Sequence, residues 1–284
     1  IYASGSTLKY NSGGTYGRGT EWSATSGAGY PHHVQISGST TLSLGANGGT
    51  STARQLAGDL TIDANSTLTL NAVGQVMTKE LTVKGNYINN GTTTLSGSIG
   101  GDLVLEGNLT DNNAFNANGR AIFFRGNNTQ SITSNTDPLD IDVVRVEKSG
   151  GEIVLLQNLL VDETADPIQF AGTLSILNLN DKTVTFGKAN TASQITMNST
   201  SAIKGSATSG LTILGTGSFG TLRFDQTTPG TTNVLQNLNI DRSTGSVILG
   251  DNLIVSGNLT VTSGTLTLAA SKQLTVSGTL TNNG

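Results

Sequence analysis

One short unit recurs through this sequence: a turn glycine, a polar residue, a leucine, a further residue and a second apolar one. It stands as Gly58-Asp-Leu-Thr-Ile62, Gly101-Asp-Leu-Val-Leu105, Gly172-Thr-Leu-Ser-Ile176, Gly220-Thr-Leu-Arg-Phe224 and Gly257-Asn-Leu-Thr-Val261, with Glu80-Leu-Thr-Val83 as a shortened copy. Apolar residues alternating over so short a span mark a strand with one buried face. The spacing of the copies carries more information. Leu60 to Leu81 is 21 residues and Leu81 to Leu103 is 22, while Leu238, Leu259 and Leu280 fall 21 apart, as do Leu253 and Leu274. Within one such interval Leu253, Leu259, Leu266, Leu274 and Leu280 recur every six to eight residues. Three short strands and three turns per circuit predict an all-β fold, a right-handed parallel β-helix with about 21 residues per rung.

The physical reason is that a five-residue strand cannot bury its apolar face alone, whereas a coil of such strands stacks each on the next. With 284 residues, that circuit predicts about 13 rungs and a rod of roughly 60 Å at about 4.8 Å per rung. An antiparallel sandwich is the main competing architecture, but it has no need of a constant register.

Composition supports a folded, helix-poor chain. Hydrophobic residues make up 35% and charged residues 12%, and the remainder is rich in Thr, Ser, Asn and Gly, which disfavour helix interiors. The net charge of −4 is far from that of a disordered polyelectrolyte. Fifteen basic residues against 19 acidic ones, with no basic run, give no phosphate-neutralising stripe, so nucleic acid is not an expected partner. Cysteine is absent, which excludes disulfides and thiolate chemistry. No apolar run approaches the roughly 20 residues that span a bilayer, so membrane insertion is not expected. A chain opening at Ile1 without Met reads as a mature product whose export signal has been removed.

Aromatic residues concentrate at the start: Tyr2, Tyr10, Tyr16, Trp22 and Tyr30 precede the adjacent pair His32-His33. Residues 1–55 are therefore read as an aromatic-rich capping segment continuous with a solenoid over 56–284. The five aromatics form a small core of that cap, or a surface for docking or glycan stacking. The last copy, Gly278-Thr-Leu-Thr-Asn-Asn-Gly284, stops part-way through a rung, which suggests either a fragment of a longer chain or an edge that pairs with another molecule. Between Asp137 and Asp166 the sequence is more acidic and less regular, and longer loops are expected.

Candidate chemistry is sparse. Asp140 and Asp142 alternate on one strand face, with Asp162 and Glu163 about one rung later. Such a cluster suits Ca²⁺ or the paired carboxylates of a glycosidase; solvated loop acids offset by Lys148 are the plainer reading, so no cofactor is expected. Asp59, Glu80 and Asp102 precede successive repeat leucines and read as an acidic column at water-exposed turns. His32 and His33 lack partners for zinc, and neighbouring strand residues point to opposite faces. Gly215-Thr-Gly-Ser-Phe-Gly220 has dinucleotide-fingerprint spacing, but the motif needs a helix start and Thr-Leu-Arg-Phe continues it as a strand. Thr260 with Thr281 suggests an ice-ordering column, which Asn239 and Ile254 interrupt.

Taken together, Gly17-Arg-Gly-Thr-Glu-Trp22, Tyr30-Pro-His-His-Val34, the Gly58-Asp-Leu-Thr-Ile62 repeats and Gly119-Arg-Ala-Ile-Phe-Phe124 followed by Gln130-Ser-Ile-Thr133 resemble repeat-rich, adhesin-like β-helical surface proteins of Gram-negative bacteria exported by the type nine secretion route. That resemblance covers most of the chain, carries no catalytic residues, and implies an extracellular or cell-surface location. The resulting expectation is a non-catalytic structural or adhesive solenoid, a surface stalk or filament subunit. Its partners would be further copies of itself, joined head to tail, or cell-surface and matrix glycans. The alternative is a polysaccharide-binding or polysaccharide-cleaving β-helix protein working along the acidic middle stretch.

Overall fold

The computed structural model describes residues 2–162, 166–187 and 194–284. Their regular structure is β, apart from one 3-10 turn at Thr20–Trp22. Parallel strands stack into a β-solenoid of about 11 turns, with roughly 24 residues between stacked strands. The chain divides into two compact units, residues 1–124 with 130–136, and residues 125–129 with 137–284.

In the first unit, Thr7–Tyr10, His33–Ile36, Leu60–Ile62, Tyr87–Asn89, Leu109–Asp111 and Gln130–Ser134 form one parallel ladder. Thr15–Gly17, Thr41–Ser43, Thr67–Thr69, Thr92–Thr94 and Ala114–Asn116 form a second. Arg54–Leu56, Leu81–Val83, Leu103–Leu105 and residues 122–124 form a third. The middle or flanking residues of each strand turn inward, and Ile36, Leu42, Leu60, Leu68, Leu81 and Leu103 are fully buried.

In the second unit the longest ladder runs through Leu139–Ile141, Leu159–Val161, Thr183–Phe186, Gly210–Thr216, Asn237–Leu249, Leu259–Leu268 and Leu280–Asn282. Leu238, Leu259 and Leu280 stack one above another, and Leu253 stacks on Leu274, as their 21-residue spacing predicts.

Elsewhere the circuit departs from that spacing. Leu60 stacks on Tyr87 and not on Leu81, while Leu81 lies between Arg54 and Leu103. Both longer steps contain the hairpin Asn71–Ala72 with Gln75–Val76, the antiparallel pair of the described residues. An inserted hairpin lengthens one circuit without disturbing the ladder, so rungs here exceed 21 residues and the turns are fewer than 13. The same shift dissolves the expected acidic column. Asp59 shares its column with Asn86, and Glu80 shares one with Asp102. The acidic middle is also more regular than expected: Leu139–Ile141, Val143–Lys148, Ile153–Leu155 and Leu159–Val161 follow at short intervals.

Candidate functional site

The aromatic segment folds around two guanidinium groups. Thr7–Tyr10 is already a ladder strand, paired with His33–Ile36, so the cap begins as solenoid. After Thr15–Gly17 the chain leaves the ladder through the Thr20–Trp22 turn. Trp22 is fully buried, and its indole Nε1 donates to the Gln55 carbonyl at 2.9 Å. Tyr10 is buried, and its hydroxyl donates to Glu21 Oε1 at 3.0 Å; the Tyr2 hydroxyl donates to the Glu21 carbonyl at 2.7 Å. Burial, and then the Glu21 charge, push the Tyr10 phenol far above its ordinary value. The Tyr30 hydroxyl accepts from Gln55 Nε2 at 3.3 Å. Of the five aromatics only Tyr16 offers an exposed face, with its ring 5.5 Å from that of Tyr10. Four of the five therefore serve the local packing through body and polar tip together.

Sequence reasoning missed the arginines. Arg18 is buried and donates to the carbonyls of Leu44 at 3.0 Å, Ala46 at 2.7 Å and Trp22 at 3.1 Å, and to that of Gly19. Arg54 is also buried and donates to the carbonyls of Ser23 at 3.3 Å, Ala53 at 3.2 Å and Gly49 at 3.2 Å. A Cβ on Gly49 would overlap Nη2 of both arginines, so this residue must be glycine and the two cations converge on it. Burial, and then the charge of Arg18, lower the Arg54 pKa to about 10. A cavity of about 430 Å³ lies against this pair. The available signal was the pairing of two arginines with glycine-rich turns, Gly17-Arg-Gly and Gly48-Gly49, in a chain otherwise poor in charge.

The acidic cluster gathers less. Asp140 is exposed and its ladder neighbour is Leu160. Asp142 and Asp162 follow the paired residues Ile141 and Val161, and so stand on adjacent turns. Glu163 lies outside the described residues. Among the described residues no three His, Cys, Asp or Glu side chains are grouped to hold a metal ion. Lys148 does not serve as a surface counter-charge. It is fully buried, Nζ lies 3.5 Å from the Arg125 carbonyl, and burial lowers its pKa to about 8.

The two histidines do not point apart. His33 opens its strand while His32 precedes it, and their rings meet edge to face at 4.4 Å. His33 Nδ1 accepts the Asp59 amide at 2.8 Å, and a Cβ on Gly58 would come within 2.9 Å of His32 Nδ1. The fingerprint-like glycines also have a structural explanation. Arg242 donates to the carbonyls of Leu214 at 2.6 Å, Gly217 at 2.8 Å and Thr216, with its guanidinium 5.1 Å from the Phe219 ring centre. That turn presents carbonyl oxygens to a cation, the reverse of a phosphate cradle. No protein family, curated protein or solved structure matches this chain.

Proposed function

We propose that this protein is a non-catalytic structural or adhesive solenoid of the cell exterior, a surface stalk or filament subunit whose copies join head to tail. The observation that supports it is the ladder itself. Apolar side chains are committed to stacking, and buried arginines bind turn carbonyls instead of facing a cleft. Such a coil gains its stability from neighbouring rungs, so a further rung extends it at little cost in new design. Leu268 and Leu280, 40% and 61% exposed, end apolar columns that a second copy would cover, and unpaired strand edges invite that addition. Tyr16 supplies an exposed ring for a glycan partner.

Light scattering and negative-stain electron microscopy over a concentration series test the assembly. Concentration-dependent growth that Leu280→Lys abolishes is the expected result. A wild-type chain that stays monomeric at every concentration removes the filament reading. Release of reducing sugar from polysaccharides would replace the non-catalytic reading with the hydrolytic one.

A further inference from the structure

The arrangement of Arg18 and Arg54 leaves more charge and more donors than the fold uses. Among the described residues neither guanidinium has a carboxylate within ion-pair distance. The nearest acid, Glu21, is occupied by the Tyr10 hydroxyl and by the Gly19 amide at 2.7 Å. A guanidinium carries five N–H donors in a rigid fork. Arg54 is 98% buried, directs only Nη1 and Nη2 to carbonyls, and keeps Nε buried with no partner. Two like charges side by side, with a buried donor unused, are unfavourable unless something anionic completes them. The adjoining cavity is where it would sit. Thr20, Ser23, Asn47 and Thr52 line it beside the two arginines, supplying the neutral polar groups that surround a bound oxyanion or a sugar hydroxyl. At about 430 Å³ it exceeds the space a bare sulfate needs.

We propose that the cavity floored by Arg18 and Arg54 binds an oxyanion group, either as a free ion or as the sulfate or carboxylate of an acidic sugar. Guanidinium forks match the paired oxygens of sulfate, phosphate and carboxylate, which a lysine at either position would not. The site stands apart from the self-association reading, since all its residues belong to the first unit.

Calorimetry and thermal unfolding of the full chain in sodium sulfate or phosphate, against sodium chloride at matched ionic strength, provide the test. Saturable heat and a rise in Tm with sulfate or phosphate, beyond that in chloride, are expected because a ligand bound only by the folded state stabilises it. Thr52 is exposed on the rim, so Thr52→Glu should fold normally, keep its Tm in chloride and weaken sulfate binding by roughly tenfold or more. Arg54→Lys should weaken it as well. Identical behaviour in sulfate and chloride, or unchanged affinity in Thr52→Glu, would overturn the proposal and leave the arginines as internal staples. A sulfated hexasaccharide compared with its desulfated form identifies the source. Binding roughly tenfold tighter than inorganic sulfate assigns the site to a glycan, and equal affinity assigns it to the free ion; both uphold an oxyanion site.

Discussion

The recurring glycine, Asx and leucine each answer a different requirement of one turn. The leucine faces inward and the glycine permits the turns to stack: a Cβ on Gly85 would collide with the Gly58 backbone, one on Gly107 with Gly85, and one on Gly278 with Gly257. The Asx side chain replaces a missing ladder bond. Asp59 Oδ1 accepts the Asn86 amide at 2.7 Å, Asn86 Oδ1 accepts the Asn108 amide at 3.1 Å, and Asn108 Oδ1 accepts the Ser131 amide at 2.8 Å. Asn108→Ala should therefore cost about 1 kcal/mol, the net value of one such bond, measurable by urea unfolding. Inside the coil, Asn89 Nδ2 donates to Asp111 Oδ1 at 2.6 Å. Burial raises the Asp111 carboxyl above its ordinary value, opposed by the Asn89 and Asn113 hydrogen bonds. The folded chain thus holds that proton more tightly than the unfolded one. Ionised Asp111 weakens the fold at neutral pH, and the penalty fades as pH falls through the raised value towards 3.8, below which both states are protonated. Asp111→Asn should raise Tm at pH 7, with a gain that shrinks on acidification. A gain that does not change with pH would contradict this account.

At the level of elements, the strands are short and the turns decide how they are joined. Two different turns close on a buried arginine, and this explains glycine-rich stretches that lack any ligand-binding geometry. Arg242 holds the turn between Gly210–Thr216 and Gly220–Leu222 through three carbonyls. Replacing it with Met keeps the bulk under Phe219 but leaves those oxygens without their donor. Arg242→Met should destabilise the chain by about 3 kcal/mol or more, on the scale of one charged donor lost from several buried acceptors. In the amino-terminal segment Trp22 is the largest fully buried side chain, and Trp22→Ala should cost about 3–5 kcal/mol by cavity formation. Thermal unfolding followed by far-ultraviolet circular dichroism measures both. Neither change should remove β-structure from the second unit's leucine ladder unless unfolding is cooperative throughout.

For the molecule as a whole, stacking makes the value of a side chain depend on its place in a column. Leu238 and Leu259 are buried between rungs, whereas Leu280 has a rung on one side only and is 61% exposed. Truncation to Ala should cost about 2–5 kcal/mol at Leu238 and Leu259, and at Leu280 no more than about 0.5 kcal/mol, as at an exposed site. Chemical unfolding of the three variants tests this, and equal costs at all three would contradict a stacked column. The sequence by itself determined the fold class, because a five-residue alternation repeated near one interval leaves a coil of strands as the way to bury every leucine. It also determined the register where no insertion intervenes, as for Leu253 with Leu274. What only the tertiary structure decided was the phase of the earlier rungs. The hairpin at Asn71–Ala72 and Gln75–Val76 displaces every later residue along the chain while leaving the ladder intact, so Leu60 meets Tyr87. The arginine pair was hidden for a related reason: Arg18 and Arg54 belong to different rungs, and side chains 36 positions apart in sequence converge only once the coil has closed between them.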